Sequence, residues 1–179
     1  MTITLQTNDK AFGDGLHPST EMAASLLSEL AGQGVSPKNV LDIGCGSGIL
    51  SLAALHYFPE ISLVASDIEA ESVTATRTNI AHNAPHADHI VLRADSYQHK
   101  DIKAGAPYDL IICNMLSDII IKQSSDAAKH LSKTGFLVLS GILGWRKDEV
   151  IAAHEIHGLS LLAEVQMDEW WALLFHFDS

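Results

Sequence analysis

The run Asp42-Ile43-Gly44-Cys45-Gly46-Ser47-Gly48 carries the strongest chemical signal in the chain. It lies where an apolar segment, residues 40–43, gives way to a helical pattern. Glycines at such a strand-to-helix turn let the backbone reverse sharply and let a ligand come close to it. Asp67 stands nineteen residues beyond Gly48, at the end of the next apolar segment. A carboxylate there can accept hydrogen bonds from both hydroxyls of a ribose. Dinucleotide binding asks for Gly-x-Gly-x-x-Gly, but the third glycine position is held by Ile49, with Gly48 one residue early. A pyrophosphate needs the tight approach that the missing glycine gives; an aminoacyl sulfonium does not. Asp42 and Gly44 suit the zwitterionic methionine end better than a dianion. These residues point to S-adenosyl-L-methionine, with S-adenosyl-L-homocysteine as product. Gly46, Gly48 and Ile68 join Asp42, Gly44 and Asp67 as expected cofactor contacts. A glycine loop alone would be equally at home as a structural turn, and it is the agreement with Asp67 that gives it meaning.

Asn114 ends residues 108–113, the most apolar run of the chain. Methyl transfer from a sulfonium is an in-line displacement at an activated carbon. The protein has to align a neutral nucleophile, strip its water and hold the methyl group in line. An amide carbonyl can accept a hydrogen bond from an uncharged amine and aim its lone pair. Asn114 is therefore the expected catalytic residue; the competing reading is an asparagine that finishes a strand turn. The run Asn114-Met115-Leu116-Ser117 is not the Asn-Pro-Pro-aromatic motif of enzymes that methylate amino groups of nucleobases or glutamine. That lowers those acceptors and leaves other nucleophiles open, a protein lysine or a terminal amine being the leading expectation.

The rest of the chain must hold these groups at one edge of a sheet. Residues 40–43, 62–66, 90–92, 108–113 and 136–140 read as strands. Residues 49–57, 69–82, 118–131 and 147–157 read as helices between them. Residues 159–165 and 170–177 look like two closing strands. This alternation predicts an α/β fold: a doubly wound, Rossmann-like and largely parallel sheet with helices on both faces. Near the start, residues 2–6 read as a small strand and residues 11–19 as a glycine-rich loop. A helix over 20–30 follows, with Ser19 or Thr20 as its cap. Residues 94–107 read as a solvated connection. With 179 residues and no shift of composition, a single domain over 1–179 is expected, its loop and helix in 1–35 and its cofactor-binding core in 36–179.

Composition narrows the partners. Eleven basic against twenty-two acidic residues leave a net charge of −11. Such a surface repels polyanions and favours cationic acceptors over direct nucleic-acid binding. The start of the chain lacks a signal-peptide pattern, and no apolar run approaches the length of a membrane span. The two cysteines, Cys45 and Cys113, have neither zinc spacing nor a disulfide framework, which suits a reduced, cytoplasmic setting. Among ten histidines, the pairs His82/His86 and His154/His157 lack a third ligand at motif spacing. They read as surface residues, and no metal is expected. His17 reads as a residue that fixes its loop rather than as a general base. Of the adjacent Trp170 and Trp171, strand alternation would bury one and leave the other near the surface.

Taken together, these stretches resemble the class I methyltransferases, and within them the ribosomal protein L11 methyltransferase family. The resemblance rests on Ala11-Phe12-Gly13-Asp14-Gly15-Leu16-His17-Pro18-Ser19-Thr20 and on residues 41–50. It continues through Cys113-Asn114-Met115-Leu116, Leu139-Ser140-Gly141-Ile142-Leu143 and Glu169-Trp170-Trp171-Ala172-Leu173. It implies a seven-stranded sheet with an antiparallel last strand. It also implies cofactor contacts at Thr20, Gly44, Asp67 and Asn114. Phe12 would pack over the cofactor, with a core role as the alternative, and Gly13 would be a further cofactor contact. Asp95 would bind the adenine amino group, or else be a solvated loop acid. The family carries an amino-terminal recognition domain, and this sequence starts where the linker to it would end. The family usually has Thr where Asp14 stands. Two other functions are therefore kept open: a small-molecule methyltransferase closed by the Asp14 loop, and a non-catalytic cofactor-binding subunit. Oligomeric state has no signature in the sequence.

Overall fold

The computed structural model describes residues 17–177. Seven strands form one sheet. They are β1 (Asn39–Ile43), β2 (Ser62–Asp67), β3 (Asp88–Arg93), β4 (Tyr108–Asn114), β5 (Leu131–Leu143), β6 (Leu159–Met167) and β7 (Trp170–Phe177). Their spatial order is β3-β2-β1-β4-β5-β7-β6. Neighbouring strands are parallel from β3 to β5, whereas β7 runs antiparallel to both β5 and β6. The expected doubly wound sheet with an antiparallel last strand is the observed one.

Alternation along the central strand assigns the helices to two faces. Leu110 and Ile112 of β4 belong to one core, and Ile111 and Cys113 to the other. The first core is closed by α1 (Pro18–Gly32), α2 (Ile49–Tyr57) and α3 (Ala70–Asn83). The second is closed by α4 (Lys100–Gly105), α5 (Ser117–His130) and α6 (Lys147–Glu155). Helix α1 shows how the pattern works. Met22, Ala23, Leu26, Leu27 and Leu30 recur at spacings of three and four, and all are buried. Strands buried on both faces lose the polar alternation of surface strands, which is why β4 reads as a continuous apolar run.

Four local expectations are corrected. Residues 94–107 are not simply a solvated connection: they contain α4, and Tyr97 and Ile102 are almost fully buried. Two apolar anchors among lysines and aspartates suffice to pin the segment, and the Tyr108 hydroxyl donates to the Ile102 carbonyl at 2.8 Å. The cap of α1 is His17, whose Nδ1 accepts from the Ser19 backbone N–H; Ser19 and Thr20 are buried inside the first turn. His154 is not a surface residue. It shares the core face of α6 with Val150 four positions earlier, donates to the Val150 carbonyl at 2.7 Å and stacks on Phe175. Trp170 and Trp171 do occupy opposite faces, but both are half-buried. Trp170 meets the His17 ring edge-on at 4.8 Å, and Trp171 lies under the Lys147 ammonium at 3.9 Å. The strand expected at residues 2–6 and the loop residues Phe12, Gly13 and Asp14 lie outside the described residues. Among the described residues, no helix is long and apolar enough to cross a membrane.

Candidate active site

The turn after β1 is built by three left-handed glycines. Gly44, Gly46 and Gly48 have φ of 77°, 55° and 82°, a region that costs other residues about 1–2 kcal/mol. At Gly44 there is also no room: a Cβ would lie 2.6 Å from Met115 Sδ. The Gly44 and Cys45 N–H groups both donate to the Ser66 carbonyl, so the turn is hung on the end of β2. The same strand end brings Asp67 to it. One Asp67 oxygen accepts from the Gly46 N–H and the other from the Glu69 N–H, each at 2.9 Å. Each oxygen keeps a second lone pair for a ligand hydroxyl.

A second set of contacts holds the turn from behind, and the sequence reading passed over it. Thr76 of α3 donates to the Gly46 carbonyl at 3.0 Å, and Asn79 donates to the Ser47 carbonyl at 2.8 Å. Both side chains are fully buried. Their three-residue spacing puts two polar groups on a helix face that should be apolar, and that mismatch is the signal that could have found them. Cys45 and Cys113 are also buried, and burial pushes both thiols well up, so neither supplies a thiolate nucleophile.

Asp42 lies behind the turn rather than in its opening. It is 1% exposed, and Ser51 donates to its Oδ2 at 2.6 Å. Burial pushes its carboxyl up to about 6, opposed by the Ser51 hydrogen bond and reinforced by nearby Asp67. The folded chain therefore holds this proton more tightly than the unfolded chain does. Stability from this group is full below the ordinary aspartate value of about 3.9, falls as pH rises toward about 6, and is level above. The expected loss is of order 2–3 kcal/mol. Asp42→Asn keeps an acceptor for Ser51 and should remove this slope. Urea midpoints from pH 4 to 7 check it; the same slope in both proteins would refute the assignment.

Gly44, Asp67, Ile68 and Asp95 line one cavity of about 200 Å³, together with Met115 and Gln123. Ile68 is 56% exposed at the mouth of this cavity. Asp95 is exposed, with the Ser96 hydroxyl at 3.2 Å from Oδ1. Asn114 stands at the end of β4, next to this wall. Its Nδ2 donates to the Thr20 hydroxyl at 3.4 Å. The first turn of α1 is held there by Ser140 of β5, whose hydroxyl donates to the Ser19 carbonyl at 2.7 Å. So the expected residues fall into three places. Gly44, Asp67, Ile68 and Asp95 line the cavity, Thr20 and Asn114 meet beside it, and Asp42, Gly46 and Gly48 belong to the turn and its support. Among the described residues, no group of three or more His, Cys, Asp or Glu side chains could hold a metal ion.

The strand order, the single antiparallel strand, the glycine turn after β1 and the acid closing β2 define the class I methyltransferase fold. The chain belongs to the ribosomal protein L11 methyltransferase family: the family profile described as "Ribosomal protein L11 methyltransferase (PrmA)" matches residues 3–177. Proteins named ribosomal protein L11 methyltransferase are 35% identical in Brucella suis and 36% in Ruminiclostridium cellulolyticum. These matches cover 91% and 92% of this chain but 56% and 50% of the relatives, so the chain spans about half their length. The crystal structure of a ribosomal protein L11 methylase from Lactobacillus delbrueckii subsp. bulgaricus superposes with a TM-score of 0.81. Its sequence identity is 28%, over 94% of this chain and 82% of that one.

Proposed function

We propose that the chain transfers a methyl group from S-adenosyl-L-methionine to an amine on a protein, a lysine side chain or a terminal amine. The observation that carries this reading is the convergence of the glycine turn, Asp67 and Asn114 at one sheet edge, in a chain of this family. The residues fit the cofactor. A mostly aliphatic cavity with two acids at its wall suits a nucleoside, and at Gly44 the place of a Cβ is taken by the flexible thioether of Met115, so a ligand that displaces it can approach the turn's backbone. Asp67 would accept from the ribose hydroxyls. The turn from Gly44 to Gly48 would take the amino-acid end, with Asp42 as buried charge behind it. Thr20, Ile68 and Asp95 would complete the contacts.

When bound, the sulfonium supplies a methyl carbon already activated for displacement. The chain's task is then alignment. Asn114 would accept a hydrogen bond from the uncharged amine through Oδ1 and so aim its lone pair. The acceptor must shed its proton first, so the rate should follow the fraction of neutral amine. The net charge of −11 favours a cationic acceptor during approach. The relatives' names give ribosomal protein L11 as their substrate, and a protein acceptor is the reading adopted for this chain.

Titration calorimetry with S-adenosyl-L-homocysteine is the direct test. Asp67→Ala should weaken binding by about 1–3 kcal/mol, the loss of charge-assisted hydrogen bonds. Failure of the unaltered chain to bind either form of the cofactor at millimolar concentration would reject the proposal. Transfer of a labelled methyl group to a fractionated protein extract would then identify the acceptor.

A further inference from the structure

Gln123 stands on α5 four residues beyond Ile119, and that spacing turns both toward the cavity beside Gly44. Its Nε2 donates to the Asp95 backbone carbonyl at 3.3 Å. A carbonyl can only accept, so this contact fixes which end of the amide faces it and leaves the oxygen turned away. That oxygen, Oε1, is buried and has no hydrogen-bond partner among the described residues. A buried acceptor without a donor is a standing cost to the fold. The neighbouring wall is formed by Ile43, Ile68, Ala94, Met115 and Ile119, whose side chains offer no donor. A ligand that fills the cavity and displaces Met115 can bring the donor that the described residues lack.

We propose that Gln123 is a specificity-determining residue of this site: its Oε1 accepts a hydrogen bond from the exocyclic amine of an adenine ring, while its Nε2 holds the loop that carries Asp95. The inference rests on the cofactor reading above and adds the residue that selects the base. Aliphatic walls suit the flat faces of a purine, Asp67 suits the ribose, and the orphaned amide oxygen suits the amine. A purine with a carbonyl at the same position would set oxygen against oxygen and be rejected. Oε1 is out of water's reach, and Met115, an unbranched thioether on the same wall, is the side chain best able to give way to the ring.

Calorimetry with three probes tests this: S-adenosyl-L-homocysteine, its analogue lacking the 6-amino group, and the analogue bearing a 6-oxo group. The unaltered chain should bind the parent about tenfold more tightly than the deaminated analogue, and the 6-oxo analogue should bind more weakly still. Gln123→Met keeps the length and helix propensity but no amide, and should bind parent and deaminated analogue within about twofold of each other. Gln123→Glu keeps an acceptor but cannot donate to the Asp95 carbonyl, and should retain the preference for the amine. The proposal is overturned if Gln123→Met retains the full preference, or if Gln123→Glu loses it as completely as Gln123→Met does. It is overturned equally if Asp95→Asn abolishes the preference with Gln123 intact. If the parent compound does not bind the unaltered chain at all, the cofactor reading has failed, and this inference falls with it.

Discussion

Asn114→Ala should lower turnover by about a hundredfold to a thousandfold, the range expected when a reacting group loses its alignment. Cofactor affinity should change by less than about tenfold, because the one side-chain hydrogen bond that Asn114 makes among the described residues is a long one to Thr20. The asymmetry follows from where the residue sits. It is half-buried at the end of β4, beside the cavity wall but not part of its lining, and its Oδ1 lies close over Gly141. Removing the amide leaves the glycine turn, Asp67 and the cavity in place, so the cofactor should still dock. What is lost is the group that orients the acceptor amine. Single-turnover rates with a methylatable peptide, set beside calorimetric affinities for S-adenosyl-L-homocysteine, separate the two effects. Equal losses in rate and affinity would make Asn114 mainly a cofactor ligand.

The residues that converge in this site were legible to different degrees, for physical reasons. Gly44, Gly48 and Asp67 stand out because a sharp strand-to-helix turn needs glycine, and because an acid at the end of an apolar strand is out of keeping with that strand. The central strands stand out because burial on both faces writes a continuous apolar run. Thr76 and Asn79 leave only the mark of two polar groups on a helix face that should be apolar, because the loop carbonyls that explain them lie 30 and 32 residues earlier in the chain. His154 misleads because its Nδ1 bonds to Val150 on its own helix and its ring lies flat on Phe175, while its Nε2 is buried without a partner among the described residues, and nothing local announces that. Tyr97 and Ile102 were lost among charged neighbours, where too few apolar residues occur to set a period. Gln123 was invisible because its meaning depends on a carbonyl from a loop 28 residues earlier in the chain. The site's backbone was thus readable, and the side chains that brace it were not, because bracing is a property of distant pairs.

Gly141→Ala should be among the most damaging single-methyl additions in the protein, with a stability loss of about 3–5 kcal/mol. Gly141 lies where β5 breaks register with β7 between Leu139 and Ile142, and its φ is 79°. A Cβ there would lie 2.7 Å from the Met115 carbonyl oxygen and 2.9 Å from Asn114 Oδ1. The first contact is with backbone, so no rotamer change relieves it. Either the irregularity in β5 flattens or the Asn114–Met115 segment recedes, and the second outcome misplaces the proposed catalytic amide as well. Two other glycines separate the contributions. Gly34 has a φ of 80° with nothing within 4 Å of a Cβ, so Gly34→Ala isolates the backbone strain, about 1–2 kcal/mol. Gly32 ends α1 with open space around it and no left-handed φ, so Gly32→Ala should be neutral or stabilising by up to about 1 kcal/mol. The excess of Gly141→Ala over Gly34→Ala is then the cost of the close approach itself. Urea unfolding of the three variants measures all of these quantities. A Gly141→Ala loss no larger than that of Gly34→Ala would mean that β5 yields without cost, and that the glycine is not what sets the position of Asn114.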